Sequence, residues 1–206
     1  MALRFVQLLI IFVLALATSQ RILASDPDIL FDYIVPPNNK VDANFFTYTG
    51  FRDIFDDVPG SLNVTKATLA EFPALNGQSV SYAILKYPAN GGVNPPHTHP
   101  RAAELLFLVG GSLEVGFVDT KNVLYTQKLK VGDLFVFPKG LVHYQYNSDA
   151  NLPAYAVSAF GSANAGTVSV PVSVFGTGID NAILAKSFKT DVGTVKKLKA
   201  GLTTHK

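Results

Sequence analysis

The chain has 206 residues, 48% of them hydrophobic and 16% charged, with a formal net charge of +2, four histidines and no cysteine or tryptophan. Without cysteine it has neither disulfides nor a catalytic thiol, and so mild a positive charge, with lysines dispersed along the chain, lacks the basic stripe that nucleic-acid binding needs.

Residues 1–24 read as a secretory signal peptide. Arg4 is followed by an uncharged apolar run, Phe5 to Ala17, whose 13 residues fall short of the roughly 20 that cross a bilayer as a helix. Cleavage is expected after Ala24 rather than Ala17, leaving Ser25-Asp26-Pro27-Asp28 at the start. The remaining 25–206 are enough for one domain with a real core. No later segment has the apolar length of a membrane span. The sequon Asn63-Val64-Thr65 marks Asn63 as an N-glycosylation site on a surface loop.

From about 80 to 170 the chain reads as successive strands: Ser81 to Tyr87, Ala103 to Val118, Val123 to Leu129, Leu134 to Phe137, Leu141 to Tyr146, Ala154 to Phe160 and Thr167 to Val170. Gly, Pro, Asn and Asp punctuate them at intervals of about 8 to 12 residues, the signature of an all-β sandwich or barrel. Alternation puts Glu104, Leu106 and Leu108 on one face and Leu105, Phe107 and Val109 on the other. A strand apolar on both faces is either covered by another layer or subunit or lies centrally within one sandwich.

Beyond Pro171 the pattern turns helical, in an extension covering about 178–201. Asp180 can cap a helix through Ala182 to Ala185. Thr190 or Asp191 can open a second, in which Val192, Val195 and Leu198 recur until Gly201 stops it. Helices this short need a surface to dock on. Lys196, Lys197 and Lys199 form a solvated face with at most a weak attraction to acidic wall polysaccharide, and His205 sits uninvolved in the tail.

The chemistry lies in two Gly/Pro-framed segments. His97 and His99 are two residues apart and share a face in extended chain, and Pro95-Pro96 stiffens the approach. Glu104 follows a short turn. After Pro138-Lys139-Gly140, His143, Gln145 and Asn147 share a face of the next strand. Alone, an H-x-H pair is more often two unrelated histidines, whereas two framed segments with complementary ligands form a specific pattern. Three imidazoles and a carboxylate, with no thiolate, make a mixed N/O set that leaves two octahedral positions open. Mn²⁺ or Fe²⁺ suits it, and Ni²⁺, Cu²⁺ or Zn²⁺ could occupy it.

Gly91, His97, His99, Glu104 and Gly111 match the motif G-x5-H-x-H-x4-E-x6-G, and Gly132, Pro138, Gly140, His143 and Asn147 match G-x5-P-x-G-x2-H-x3-N. These are the two cupin motifs. The stretches 94–102 and 137–143, with Ser25-Asp26-Pro27-Asp28, resemble the plant germin-like proteins more narrowly. The resemblance implies an all-β cupin jelly-roll barrel with short C-terminal α-helices, secretion to the apoplast, and assembly through dimers into a homo-hexamer. It also implies Mn²⁺ on His97, His99, Glu104 and His143, and our own reading of the neighbouring positions adds Asn94 and Gln145 as outer-shell groups and a small anionic ligand at the metal.

Two departures stand out. The cysteine pair usual near the N-terminus of germins is absent from Ile29 to Pro36, and the second of two asparagines used by oxalate-oxidising germins would fall near Ala83 or Ile84, where there is no amide. Losing a polar partner of this kind sharply lowers discrimination for a substrate, which counts against oxalate oxidation. Superoxide dismutation is the leading expectation and a noncatalytic, metal-stabilised binding or storage-like wall protein the alternative. Catalytic residues beyond the metal ligands are not specified.

Overall fold

A computed structural model describes residues 26–203, so the signal-peptide reading of Met1–Ala24 and the terminal His205 fall outside the described residues. Among the described residues ten strands form two five-stranded antiparallel sheets. β1 (Asn63–Ala67), β2 (Ser81–Tyr87), β9 (Ala154–Phe160), β4 (Glu104–Gly110) and β7 (Leu134–Phe137) lie side by side in that order. The second sheet runs β10 (Val168–Ser169), β3 (Gly92–Thr98), β8 (Val142–Asn147), β5 (Ser112–Val118) and β6 (Leu124–Lys130). Three helices follow, α1 (Val170–Phe175), α2 (Asn181–Ser187) and α3 (Val192–Thr203). This is the all-β jelly roll with short C-terminal helices that the motifs imply. Among the described residues no helix is long and apolar enough to cross a membrane.

The core lies between the sheets, where period-two alternation aims side chains inward. On β4, Glu104, Leu106 and Leu108 are at most 2% exposed, whereas Leu105 and Phe107 on the other face are 44% and 39% exposed. Leu85, Leu106, Leu108, Leu113, Leu129 and Phe137 join in one apolar cluster. The outer face of β4 continues over exposed Tyr82, Leu134 and Val136, and the described residues supply no layer to cover it.

Several boundaries differ from expectation for identifiable reasons. The apolar run from Ala103 to Val118 is two strands in different sheets, because Gly111 turns the chain at a φ of +74° where an added Cβ would stand 2.4 Å from the Pro153 carbonyl oxygen. The segment carrying His97 is itself strand β3, with a register shift between Asn94 and His97 where Pro95 and Pro96 offer no N–H to the ladder. The strand expected from Thr167 to Val170 shrinks to Val168–Ser169, since Pro171 suits the first turn of α1. Asn63 sits exposed on edge strand β1 rather than on a loop.

Asp180 caps α2 as expected, its carboxylate accepting the Ala182 N–H at 2.8 Å and the Ile183 N–H at 3.2 Å. Asp191 accepts the Thr194 N–H at the start of α3, which runs on through Gly201. The helices pack on one another around Leu184, Ala185 and Val195, while Val192 and Leu198 stay exposed. Lys196 and Lys197 are solvated, but half-buried Lys199 donates to the Ile179 carbonyl.

Asn147 shows how the barrel end is pinned. It is fully buried, donates to the carbonyls of Pro88 at 3.0 Å and Leu152 at 2.9 Å, and accepts the Asp149 N–H at 3.1 Å. Replacing it with an apolar residue strands these partners in the interior. Asn147→Leu should therefore lower the urea-unfolding free energy of the metal-free protein by about 2–4 kcal/mol, whereas Asn63→Gln on the exposed edge should stay within about 0.5 kcal/mol of the parent.

Candidate metal centre

The two sheets bring the four side chains together at one end of the core. His97 on β3 pairs directly with His143 on β8, and Glu104 opens β4 opposite them. His99 immediately follows the last residue of β3, Thr98. All four are buried, with exposures of 1–6%, and a ligand atom from each lies within 4.8 Å of those from the other three.

The ring orientations carry the chemistry. Each Nδ1 faces a backbone carbonyl: His97 to Pro95 at 2.8 Å, His99 to Gly166 at 2.5 Å and His143 to Leu141 at 2.9 Å. A carbonyl only accepts, so each Nδ1 must carry the proton, and the neutral ring is left with its lone pair on Nε2. The Nε2 atoms of His99 and His143 lie 3.1 Å from the same oxygen, Oε2 of Glu104. Lone pairs then face lone pairs across the centre unless a proton or a metal cation stands between them. Separations near 3 Å are those of neighbouring ligands on an ion with bonds of about 2.1 Å. The residues present thus fit a divalent cation.

Other groups hold this arrangement. The Ser158 hydroxyl donates to Glu104 Oε1 at 2.6 Å and turns Oε2 toward the imidazoles. Phe137 stacks on His143, and Phe160 meets His99 edge-on. Sequence reasoning passed over all three, although Ser158 had a visible signal as the one polar residue on the inward face of a strand otherwise inward with Ala154 and Ala156.

Asn94 and Gln145 are cross-strand neighbours beside the ligands. Half-buried Asn94 lines a cavity of about 350 Å³ that opens onto His97, His99 and Glu104. Gln145 is fully buried, with neither amide atom hydrogen-bonded. Tyr87, also fully buried, carries a phenol held well above its usual range by burial and by the Glu104 charge. Of the two positions expected to lack the second amide, Ala83 lines the cavity and Ile84 does not, and exposed Lys66 stands at the rim.

Burial, reinforced by the nearby His143, lowers the His97 pKa to about 4, so that ring is neutral and ready to coordinate at and below neutral pH. Burial also opposes ionisation of Glu104, but where protons on the facing Nε2 atoms of His143 and His99 take the place of a metal, their hydrogen bonds and charges outweigh it and bring its pKa down to about 2. Both folded values lie below the unfolded ones, 6.5 for His97 and 4.5 for Glu104, so on acidification the unfolded chain takes up protons first.

Metal-free protein should therefore lose stability as pH falls from 6.5 to about 4 through His97, and again from 4.5 toward about 2 through Glu104. Urea titrations at stepped pH should show the upper loss, on the order of 3 kcal/mol, disappearing in His97→Gln. A parent protein equally stable at both ends of the upper window would contradict this.

Comparison with known proteins agrees with the geometry. The cupin family model matches residues 57–196. Two rice proteins (Oryza sativa subsp. japonica) are each 60% identical to the chain: putative germin-like protein 9-2, over 98% of both chains, and germin-like protein 9-3, over 97% of this chain and 96% of the relative. Among solved structures, an oxalate oxidase superposes with a TM-score of 0.77 at 32% identity, covering 88% of this chain and all of the other. A second, in complex with the substrate analogue glycolate, gives the same TM-score at 31% identity, again over 88% of this chain and all of the other. The chain belongs to the cupin family and, within it, to the germin-like proteins.

Proposed function

We propose that this chain is a secreted, manganese-binding germin-like protein of the plant cell wall that dismutates superoxide. The observation that carries the reading is the set of three imidazoles whose Nδ1–H groups are taken up by carbonyls, with His99 and His143 turning Nε2 onto one carboxylate oxygen. In this reading His97, His99, Glu104 and His143 hold Mn²⁺. Manganese bound there would supply one-electron exchange, the chemistry by which two superoxide ions and two protons give O₂ and H₂O₂. Lys66 at the cavity rim attracts the anion, Asn94 offers it an amide where the cavity meets the ligands, and Gln145 supports the centre from beneath.

The remaining features fit the same role. Residues 1–24 act as the leader, 25–206 form one cupin domain with a barrel core over about 80–170 and a helical extension over about 178–201, and exposed Asn63 carries the glycan. The uncovered apolar face of β4 and β7, with the exposed apolar residues of the helices, favours a homo-oligomer, a hexamer built as a trimer of dimers.

Deep burial of all four ligands also favours a noncatalytic version, in which metal stabilises a binding or storage-like wall protein. Oxalate oxidation is less favoured, despite the solved oxalate oxidases of similar fold, because neither Ala83, which lines the cavity, nor its neighbour Ile84 offers an amide.

Two measurements distinguish these readings. Manganese-loaded protein should remove superoxide faster than equimolar free Mn²⁺ and release no peroxide on adding oxalate. Loading without any dismutation would leave the noncatalytic version, and peroxide from oxalate would revive the oxidase. Stripping the metal should lower Tm by about 10 °C, and His143→Ala should weaken Mn²⁺ binding at least 100-fold, read by equilibrium dialysis.

A further inference from the structure

The three ligand imidazoles are not held alike. His97 and His143 donate to carbonyls two residues back, whereas His99 donates to Gly166, 67 residues away. Its aim is therefore only as firm as the loop 161–167 between β9 and β10. Arg101 grips that loop through Nε to the Asn164 carbonyl at 2.5 Å and Nη2 to Asn164 Oδ1 at 2.8 Å. The Ser81 hydroxyl donates to the Ser162 carbonyl at 2.6 Å, and the Leu69 N–H to the Ala163 carbonyl at 2.8 Å.

Another anchor comes from the opposite end of the chain. Asp26 Oδ1 accepts the Ser162 hydroxyl at 2.5 Å, and Oδ2 accepts the Ala163 N–H at 2.7 Å. Ser162 Oγ in turn accepts the Asn164 N–H at 3.1 Å. Ser162 and Ala163 are 1% and 3% exposed, so removing the carboxylate strands two buried donors in the loop. The arm behind Asp26 is seated too: Ile29 packs so closely on Gly77 that a Cβ there would stand 2.2 Å from it, and Gln78 Nε2 donates to the Asp32 carbonyl at 3.2 Å.

We propose that Asp26 is a positioning residue for the metal centre: by clamping the loop 161–167 it fixes the Gly166 carbonyl that orients His99. Docking of the N-terminal arm thereby sets how firmly one of the four ligands is held. This rests on the metal-binding reading above. Asp26 touches neither ion nor substrate and works through two intermediaries, the loop and the imidazole. Partners hydrogen-bonded directly to a ligand typically change metal affinity about 10–100-fold when removed, and Asp26, one step further out, should act at the lower end of that range.

The test compares full mature protein, Asp26→Ala, Asp26→Asn and Asp191→Ala, which weakens the α3 cap far from the loop. Mn²⁺ release to excess chelator is followed well below every Tm, and the imidazole Nδ1–H signals are recorded by NMR without metal. Asp26→Ala should release metal about 10-fold faster or more and lose the protected His99 signal while those of His97 and His143 persist. Asp26→Asn, whose amide can accept from Ala163 and donate to the Ser162 hydroxyl, should recover most of the difference. Asp191→Ala should lower Tm with release unchanged.

Release from Asp26→Ala within twofold of the parent, with all three signals intact, would overturn the proposal. If Asp26→Ala fails to fold, Ser162→Ala removes one of the two contacts and should give an intermediate rate, a parental rate again overturning it. A parent protein that takes up no metal would sink the metal reading separately. The metal-free NMR signals still decide the latch, since a persistent His99 signal in Asp26→Ala refutes it.

Discussion

Each of the three imidazoles gives its Nδ1 proton to a main-chain carbonyl, and the rest of the site depends on that constraint. It leaves Nε2 as the coordinating atom and directs it into a buried space shared with a carboxylate. Burying Glu104 in this way is costly unless positive charge answers it, and the Ser158 hydroxyl satisfies only one of its oxygens. The centre therefore calls for a cation in the same sense that an apolar stripe calls for a core. The jelly roll supplies what this needs: two facing sheets bring β3, β4 and β8 to one end of the interior, and aromatic rings close the sides.

Much of the fold was legible because its signals are local. Inward and outward residues of β4 alternate as its sequence does, and Gly and Pro mark most of the turns. What escaped depends on partners distant in the chain. β1 is an edge strand with an exposed, mixed surface, so its pairing with β2 leaves little trace in composition. β3 contains two prolines, which argue against a strand in isolation and are tolerated because the ladder shifts register there. Val170 has strand-like character but is followed by a proline that fits a helix start, and α1 claims both.

The candidate ligand set was legible for a different reason. His97, Glu104 and His143 sit on strands whose parity can be counted, and His99 directly follows one. Asn94 and Gln145 share that advantage, and they emerge as cross-strand neighbours. The carbonyls of Pro95, Leu141 and Gly166 carry no side-chain signature, so the groups that select the tautomer were invisible in sequence. The absence of cysteine was plain, whereas the Asp26 clamp on 162–163 joins residues 136 and 137 positions apart and could be found only in three dimensions. The sequence left Ala83 and Ile84 both open as the position without an amide, and the cavity, which Ala83 lines and Ile84 does not, separates them.

Anomalous diffraction at the manganese edge, on crystals of protein purified from its native compartment, tests the central claim most directly. The account predicts one peak per chain within about 2.0–2.3 Å of Nε2 of His97, His99 and His143 and of a Glu104 carboxylate oxygen. Full-occupancy metal bound elsewhere, or coordinated through Nδ1 of any of these rings, would contradict it.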